Sequence, residues 1–416
     1  MKTGIQHLIL KEVILKNLIP RITIIIVTLF LAFGCTEIKM MQKLNSGEAV
    51  IQDEIDITVP FDLRGHAIIV KVRINEHPKE YNFILDTGAI TFINEETANE
   101  LDLEQGTEVP TWNDTVKARL VETEIISLGN AKVKNLTTIM FDFVKYTGFQ
   151  KIDGFIGSDF LRFFKVTIDY GSKALTLSLD TEPIRSVDEG YLLKIKKPLP
   201  LRAPMVECRI NETFTSDAMI DLGSPHCVVL PLSLLDKLSG EDIPLIKSIG
   251  IVAKWPQSTT DESCLSRIES LKFGDFEIEN IPVIIADVND ILLGEDFLSQ
   301  FLITINYPAK QVLLLPLDNM QFKHNMFSTG LALEKDDDNR TVVKGFWEGS
   351  PADKSGIQVG DEIIEINSIN ISELALFEIS SILKNDAVSA IELLINSEQG
   401  EKRVTLKKET LLPELK

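Results

Sequence analysis

Phe83-Ile84-Leu85-Asp86-Thr87-Gly88-Ala89 is the stretch on which the reading of the fold turns, because its pattern occurs twice. Ile84–Ala89 returns 135 positions later as Met219-Ile220-Asp221-Leu222-Gly223-Ser224. Upstream, Arg73-Ile74-Asn75-Glu76 matches Arg209-Ile210-Asn211-Glu212. Downstream, Leu128-Gly129-Asn130 matches Phe273-Gly274-Asp275, and Gly157-Ser158-Asp159-Phe160-Leu161 matches Gly294-Glu295-Asp296-Phe297-Leu298. Ile168-Asp169-Tyr170 then matches Ile305-Asn306-Tyr307. One such match is noise, but a series in the same order is a duplication. The units, 53–182 and 183–318, are too few for a solenoid and suit two lobes about a pseudo-twofold axis. Each reads mostly as strand, with β-branched runs such as Ala67–Val72 bounded by turn signals such as Asn75-Glu76-His77-Pro78. The exception is a helical turn after Gly157 and after Gly294, whose Phe160, Leu161 and Phe164, or Phe297, Leu298 and Phe301, are core residues.

The first copy, an apolar strand followed by Asp-Thr-Gly with the apolar-apolar-Gly element Phe155-Ile156-Gly157 downstream, resembles the aspartic proteases. The second, Asp221-Leu222-Gly223 with Leu292-Leu293-Gly294, completes the pattern, and the small lobes are similar to the retropepsin-like branch fused into one chain. The resemblance covers nearly all of 55–316. It implies a mainly β fold of two acid-protease barrels, with Asp86 and Asp221 as the catalytic pair. Like charges face to face cannot both ionise, so one proton is shared and the pair titrates as a unit. The basic member then takes a proton from water while the acidic member donates to a peptide carbonyl, with no metal or cofactor. Gly88 and Gly223 let backbone pass beneath the carboxylates. The competing reading makes both aspartates turn or capping residues. Asp159 and Asp296 are expected to cap helices, and Asp153 and Asp290 to sit in turns. His226 is expected to be a packed, hydrogen-bonded histidine rather than a wall of the cleft.

One departure stands out. In the family a Thr or Ser follows each catalytic Asp and bonds across the axis; Thr87 can do this and Leu222 cannot. Half of that link is expected to be missing, with Ser224 steadying the Asp221 carboxylate instead. The flap that the family requires has two candidates, Gly106–Lys117 with Trp112 and Gly250–Thr260 with Trp255.

After Asp318 the pattern changes. Gly349-Ser350-Pro351-Ala352, Val359-Gly360-Asp361 and Ile363-Ile364-Glu365-Ile366-Asn367 resemble a bacterial PDZ domain, assigned to 327–410. Ser350 caps a short helix begun by Pro351 and ended by Gly356. Ile364 and Ile366, or their neighbours, face inward along the next strand. Leu376, Ile379 and Leu383 mark the apolar side of a helix over Glu373–Leu383. The resemblance implies a groove in which a peptide ligand adds as a strand, with its carboxylate held by Gly330, Leu331, Ala332 and Leu333 after Thr329. Asp336-Asp337-Asp338 reads as a solvated loop.

The 416 residues are 44% hydrophobic and 25% charged, which excludes wholesale disorder and a bundle of membrane helices. A formal charge of −20 argues against nucleic acid, which needs clustered Lys and Arg. Residues 1–34, basic and then apolar over Ile22–Phe33, read as a secretory signal, and Leu31-Ala32-Phe33-Gly34-Cys35 resembles a lipobox. Cys35 would carry lipid, 35–52 would be a tether, and the chain would sit in a bacterial cell envelope, anchored to a membrane. Cys208, Cys227 and Cys264 leave an odd number for disulfides, so at least one is expected to be a small buried residue. The reading is therefore an exported aspartic endopeptidase acting on peptide or protein, with a PDZ module that recognises polypeptide. Its competitor is an inactive peptide-binding envelope protein of the same architecture.

Overall fold

The two repeats meet in one six-stranded antiparallel sheet, and its symmetry is visible in the register. In a computed structural model, strand Lys165–Asp169 of the first lobe pairs with Phe301–Asn306 of the second, Thr167 opposite Thr304. The hydroxyls of that pair, 137 residues apart, lie 3.0 Å from each other on the pseudo-twofold. Outward on one side come Ala174–Ser178 and Asp56–Pro60; on the other come Gln311–Pro316 and Tyr191–Lys196. The model describes residue 40 and residues 42–412, apart from 53, 110–116, 144–150, 186–188, 198–202, 239–242, 254, 256–257 and 337. The expected signal 1–34, the lipidation site Cys35, Trp112 and Asp337 lie outside these.

Above the shared sheet each lobe repeats one pattern. Strand Tyr81–Leu85 runs parallel to Gly154–Ile156, and Phe214–Ile220 runs parallel to Ile291–Leu293. Left-handed backbone recurs at equivalent positions: Asn75 and Asn211, Gly129 and Gly274, Asn135 and Asn280, Lys173 and Lys310. Asn and Gly tolerate that conformation best, so the repeated turn residues in the sequence have a conformational cause. Alternating strands such as Met205–Ile210 turn one face to the core, and both lobes drain into one continuous apolar cluster. Phe160 of helix Ser158–Leu161 and Phe297 of helix Glu295–Leu298 are buried in it, as are Phe164 just beyond the first helix and Phe301 at the start of its strand. None of Cys208, Cys227 and Cys264 forms a disulfide, and Cys208 and Cys264 are buried.

The C-terminal domain has strands Leu331–Lys335, Thr341–Trp347, Glu362–Ile366, Ala390–Ser397 and Gly400–Lys407. Ser350 caps helix Pro351–Lys354 by accepting from the Asp353 N–H at 3.3 Å, and Gly356 beyond it is left-handed. Helix Leu376–Lys384 buries Ile379 in the domain's own core. The inward residues of Glu362–Ile366 are Ile363 and Ile366, because an irregularity between Ile363 and Glu365 breaks the alternation.

This domain is not a bead on a string. Strand Leu245–Gly250 of the second lobe pairs first with Ser263–Phe273 of its own lobe and then crosses onto Thr341–Trp347, with Ser248 opposite Trp347 and Gly250 opposite Gly345. A Cβ on Gly345 would meet the Ile249 carbonyl oxygen and the Ile251 nitrogen at 2.7 Å, so glycine permits the crossing. Trp347 and Leu412 join Met205, Met219, Leu265, Ile284 and Leu292 in a second apolar cluster under the crossing.

Candidate active site

Each Asp-x-Gly begins where its strand leaves the parallel pair. The Asp86 N–H donates to the Ile156 carbonyl at 3.0 Å and the Asp221 N–H to Leu293 at 2.9 Å, the two arrangements related by the pseudo-twofold. The loops then fold back on their own aspartates: Gly88 N–H donates to Asp86 Oδ1 at 2.8 Å, and Gly223 N–H to Asp221 Oδ1 at 3.0 Å. The Ala89 and Ser224 amides add further donors. The carboxyls of Asp86 and Asp221 hydrogen-bond to each other across the axis. The two glycines are forced by this proximity. A Cβ on Gly88 would stand 2.5 Å from Asp221 Oδ1, and one on Gly223 would collide with the Asp86 carboxyl.

Burial decides the electrostatics. Loss of hydration pushes the Asp86 carboxyl up to about 6 against the pull of its N–H donors and of the Asp221 hydrogen bond. Asp221, only 8% exposed, is raised well above the carboxylate range by burial and then by the Asp86 charge. A pair so placed retains a proton at pH values where isolated carboxyls would have lost theirs.

Of the two residues that directly follow the aspartates, Thr87 alone bonds across the axis through its side chain. Its hydroxyl donates to the Ile220 carbonyl at 2.6 Å and accepts from the Leu222 N–H at 3.1 Å. Each such bond contributes about 1 kcal/mol net. Leu222 returns nothing: its side chain is fully buried in the apolar cluster. Ser224 acts through its backbone, since its buried hydroxyl has no hydrogen-bond partner.

Several other expectations are corrected. Asp159 and Asp296 are not caps; Gly157 and Gly294 hold those positions, with no side-chain cap at either. Asp159 instead accepts from the Thr91 N–H at 2.8 Å and the Thr91 hydroxyl at 2.6 Å, bracing the loop that leaves Asp86. The second lobe has His226 at the Thr91 position and lacks that brace. Asp153 is more than a turn residue: its carboxylate accepts from the Asn82 N–H at 2.7 Å and from the Thr97 hydroxyl at 3.2 Å. His226 stacks at a tilt on Trp255, ring centroids 5.9 Å apart, and burial with Lys384 and His66 nearby lowers it to about 3.

The two flap candidates part company. In the first lobe Gln105–Val109 pairs with Ala118–Leu128 as a hairpin whose tip, including Trp112, lies outside the described residues. In the second lobe the corresponding strand is the one committed to the C-terminal domain, and Trp255 packs at the edge of the cluster beneath it. A strand whose end is bonded to another domain is poorly suited to lift; the first candidate carries no such bond among its described residues.

The loop expected to hold a ligand carboxylate has its donors partly engaged. Gly330 N–H donates to Ser328 Oγ at 3.0 Å and Leu331 N–H to Thr329 Oγ1 at 3.4 Å. Ala332 and Leu333 straddle a bulge in the pairing with Thr341–Trp347. The other edge of Leu331–Lys335 has no strand paired to it among the described residues, and helix Leu376–Lys384 runs beside it.

A family model described as aspartyl protease matches residues 70–160 and again 206–297, the two Asp-x-Gly repeats with their apolar-apolar-Gly strands. A PDZ domain model matches residues 342–397. A search of curated proteins gives no match. The chain thus carries an aspartyl protease domain in two repeats followed by a PDZ domain.

Proposed function

We propose that the chain is an aspartic endopeptidase in which Asp86 and Asp221 activate water against a peptide bond. The observation that carries this is the buried, mutually hydrogen-bonded pair of carboxyls, each braced by its own Gly N–H. In the monoprotonated pair the ionised carboxyl accepts a proton from water as the oxygen attacks the peptide carbon. The protonated carboxyl donates to the carbonyl oxygen, giving a gem-diol. Collapse of the diol breaks the C–N bond as one carboxyl delivers a proton to the leaving amine and the other takes one back from a diol hydroxyl, which leaves the pair monoprotonated again. Thr87, Gly88, Gly223 and the Ser224 amide hold the geometry rather than react.

The raised pKa values shift the working range upward. The shared proton is present below the upper apparent pKa of the pair, so activity is expected to persist to near-neutral pH and to fall as that proton leaves. On the sequence reading, residues 53–182 and 183–318 form the catalytic lobes, 327–410 the PDZ domain, and Cys35 a lipid anchor that holds the chain in a cell envelope.

A second reading, an inactive peptide binder, draws on Leu222, whose apolar side chain sends no hydrogen bond across the axis. The two separate on one experiment. The chain from Cys35 onward is incubated with a diverse peptide mixture from acid to neutral pH, and new termini are sought by mass spectrometry. Cuts are expected; their absence at every pH, with peptide binding retained, favours the binder.

A further inference from the structure

A cavity of about 590 Å³ lies where the two lobes and the PDZ domain converge, within the range of ligand-binding pockets. Arg64, Gly65 and His66, the tip of a first-lobe hairpin, line one wall. Pro225, Glu295 and Asp296 of the second lobe line another. The third is helix Leu376–Lys384, through Leu376, Phe377, Ser381 and Lys384. The hairpin tip approaches this helix so closely that a Cβ on Gly65 would stand 3.1 Å from Phe377 Cβ.

The cavity is continuous with the dyad loop. Pro225 follows Ser224, whose amide faces Asp221, and the Ser224 carbonyl accepts from the Glu295 N–H at 2.8 Å. The second wall is therefore made by the backbone that positions Asp221. Through Pro225 the lining comes within four residues of Asp221 along the chain, and through Leu376, Phe377, Ser381 and Lys384 it reaches the PDZ helix.

We propose that this cavity is an outer subsite of the cleft, holding residues of an extended polypeptide that flank the scissile bond, with helix Leu376–Lys384 selecting among them. The proposal rests on the peptidase reading. Ile152, Pro225, Leu376 and Phe377 give it an apolar lining that suits an apolar side chain. Its ionisable groups are less charged than they look. Burial, with Asp296 adding to it and Lys384 opposing, holds Glu295 at about 7. Burial and Lys384 hold His66 at about 4. Burial also raises the Asp296 carboxyl, with Lys384 and Lys323 opposing. The helix thus serves the PDZ core through Ile379 and the cleft through its opposite face.

The test fills the cavity from two sides, with Arg64→Trp on the hairpin and Ser381→Trp on the helix, each in an Asp86→Asn background. Affinities are measured for random-sequence peptides with amidated ends, about six and about fourteen residues long, spanning roughly 20 and 50 Å when extended. The preference for long over short peptides is expected to fall at least about tenfold in both variants. An unchanged preference in both, no binding of long peptides, or a loss confined to Ser381→Trp overturns the subsite, the last by placing the ligand in the PDZ groove alone. Cleavage by the Asp86 parent is scored separately. Cleavage with an unchanged preference sinks the subsite and leaves the peptidase standing. A tenfold loss in a chain that never cleaves sinks the peptidase and leaves the subsite.

Discussion

Asp221→Asn and Asp86→Asn are each expected to lower peptide cleavage by about 10²–10⁴-fold or more, the share that a positioned acid or base contributes. The amide is nearly isosteric and retains the Oδ1 that accepts from Gly223 or Gly88. It can neither take the water's proton nor donate one as an acid. The fold should not suffer. Both carboxyls have folded-state pKa values raised above the ordinary value, so the native protein holds protons that an unfolded chain releases as pH rises past about 4. The pair therefore contributes most to stability at low pH and progressively less as pH climbs through the folded values. An Asn variant escapes that loss. Its melting temperature near neutral pH should equal or exceed that of the parent, and calorimetry beside a cleavage assay checks both halves. A variant that melts early would trace the lost activity to folding, and one that still cleaves at the parental rate would remove that residue from the chemistry.

Removing the PDZ domain, residues 327–416, is expected to unfold or aggregate the second lobe rather than release a smaller working enzyme. Strand Leu245–Gly250 would lose its partner along Ser248–Gly250. Met219, Leu265, Ile284 and Leu292 would lose Trp347 and Leu412, which are almost fully buried against them. Uncovering large apolar side chains costs about 1.5–3 kcal/mol each, so the total is of the order of 5 kcal/mol. A whole domain has only about 5–15 kcal/mol to lose. Gly345→Val is the gentler form, because its side chain would collide with the backbone of Ile249 and Ile251 without touching the dyad. Its melting temperature should drop by several degrees, whereas a truncated chain that melts like the parent would show the PDZ domain to be independent.

Those two expectations differ in how much of them a reader of the sequence can see. The dyad is legible because Asp86 and Asp221 each sit at the end of a local apolar strand, and because a duplicated motif carries its own symmetry. Equivalent residues such as Thr167 and Thr304 then meet on the axis. The role of Asp159 is not legible. Whether an aspartate in a first helical turn caps it or braces something distant depends on Thr91, 68 residues away. The union of the second lobe with the PDZ domain is hidden for a different reason. It is made by backbone hydrogen bonds between strands far apart in the chain, and those leave almost no mark on side-chain type. The carboxylate loop illustrates a third failure. Gly330 and Leu331 look like open donors until Ser328 and Thr329 are seen to accept from them.

The central claim is that two buried carboxyls share hydrogen. Carbon-13 NMR of chain labelled at the aspartate carboxyl carbons, titrated from acid to neutral pH, observes it directly. The account predicts two coupled signals, at least one titrating well above the ordinary value of about 3.9, that collapse to a single simple titration when either Asp86 or Asp221 becomes Asn. Two signals that titrate independently near 3.9, each indifferent to replacement of the other residue, would contradict it.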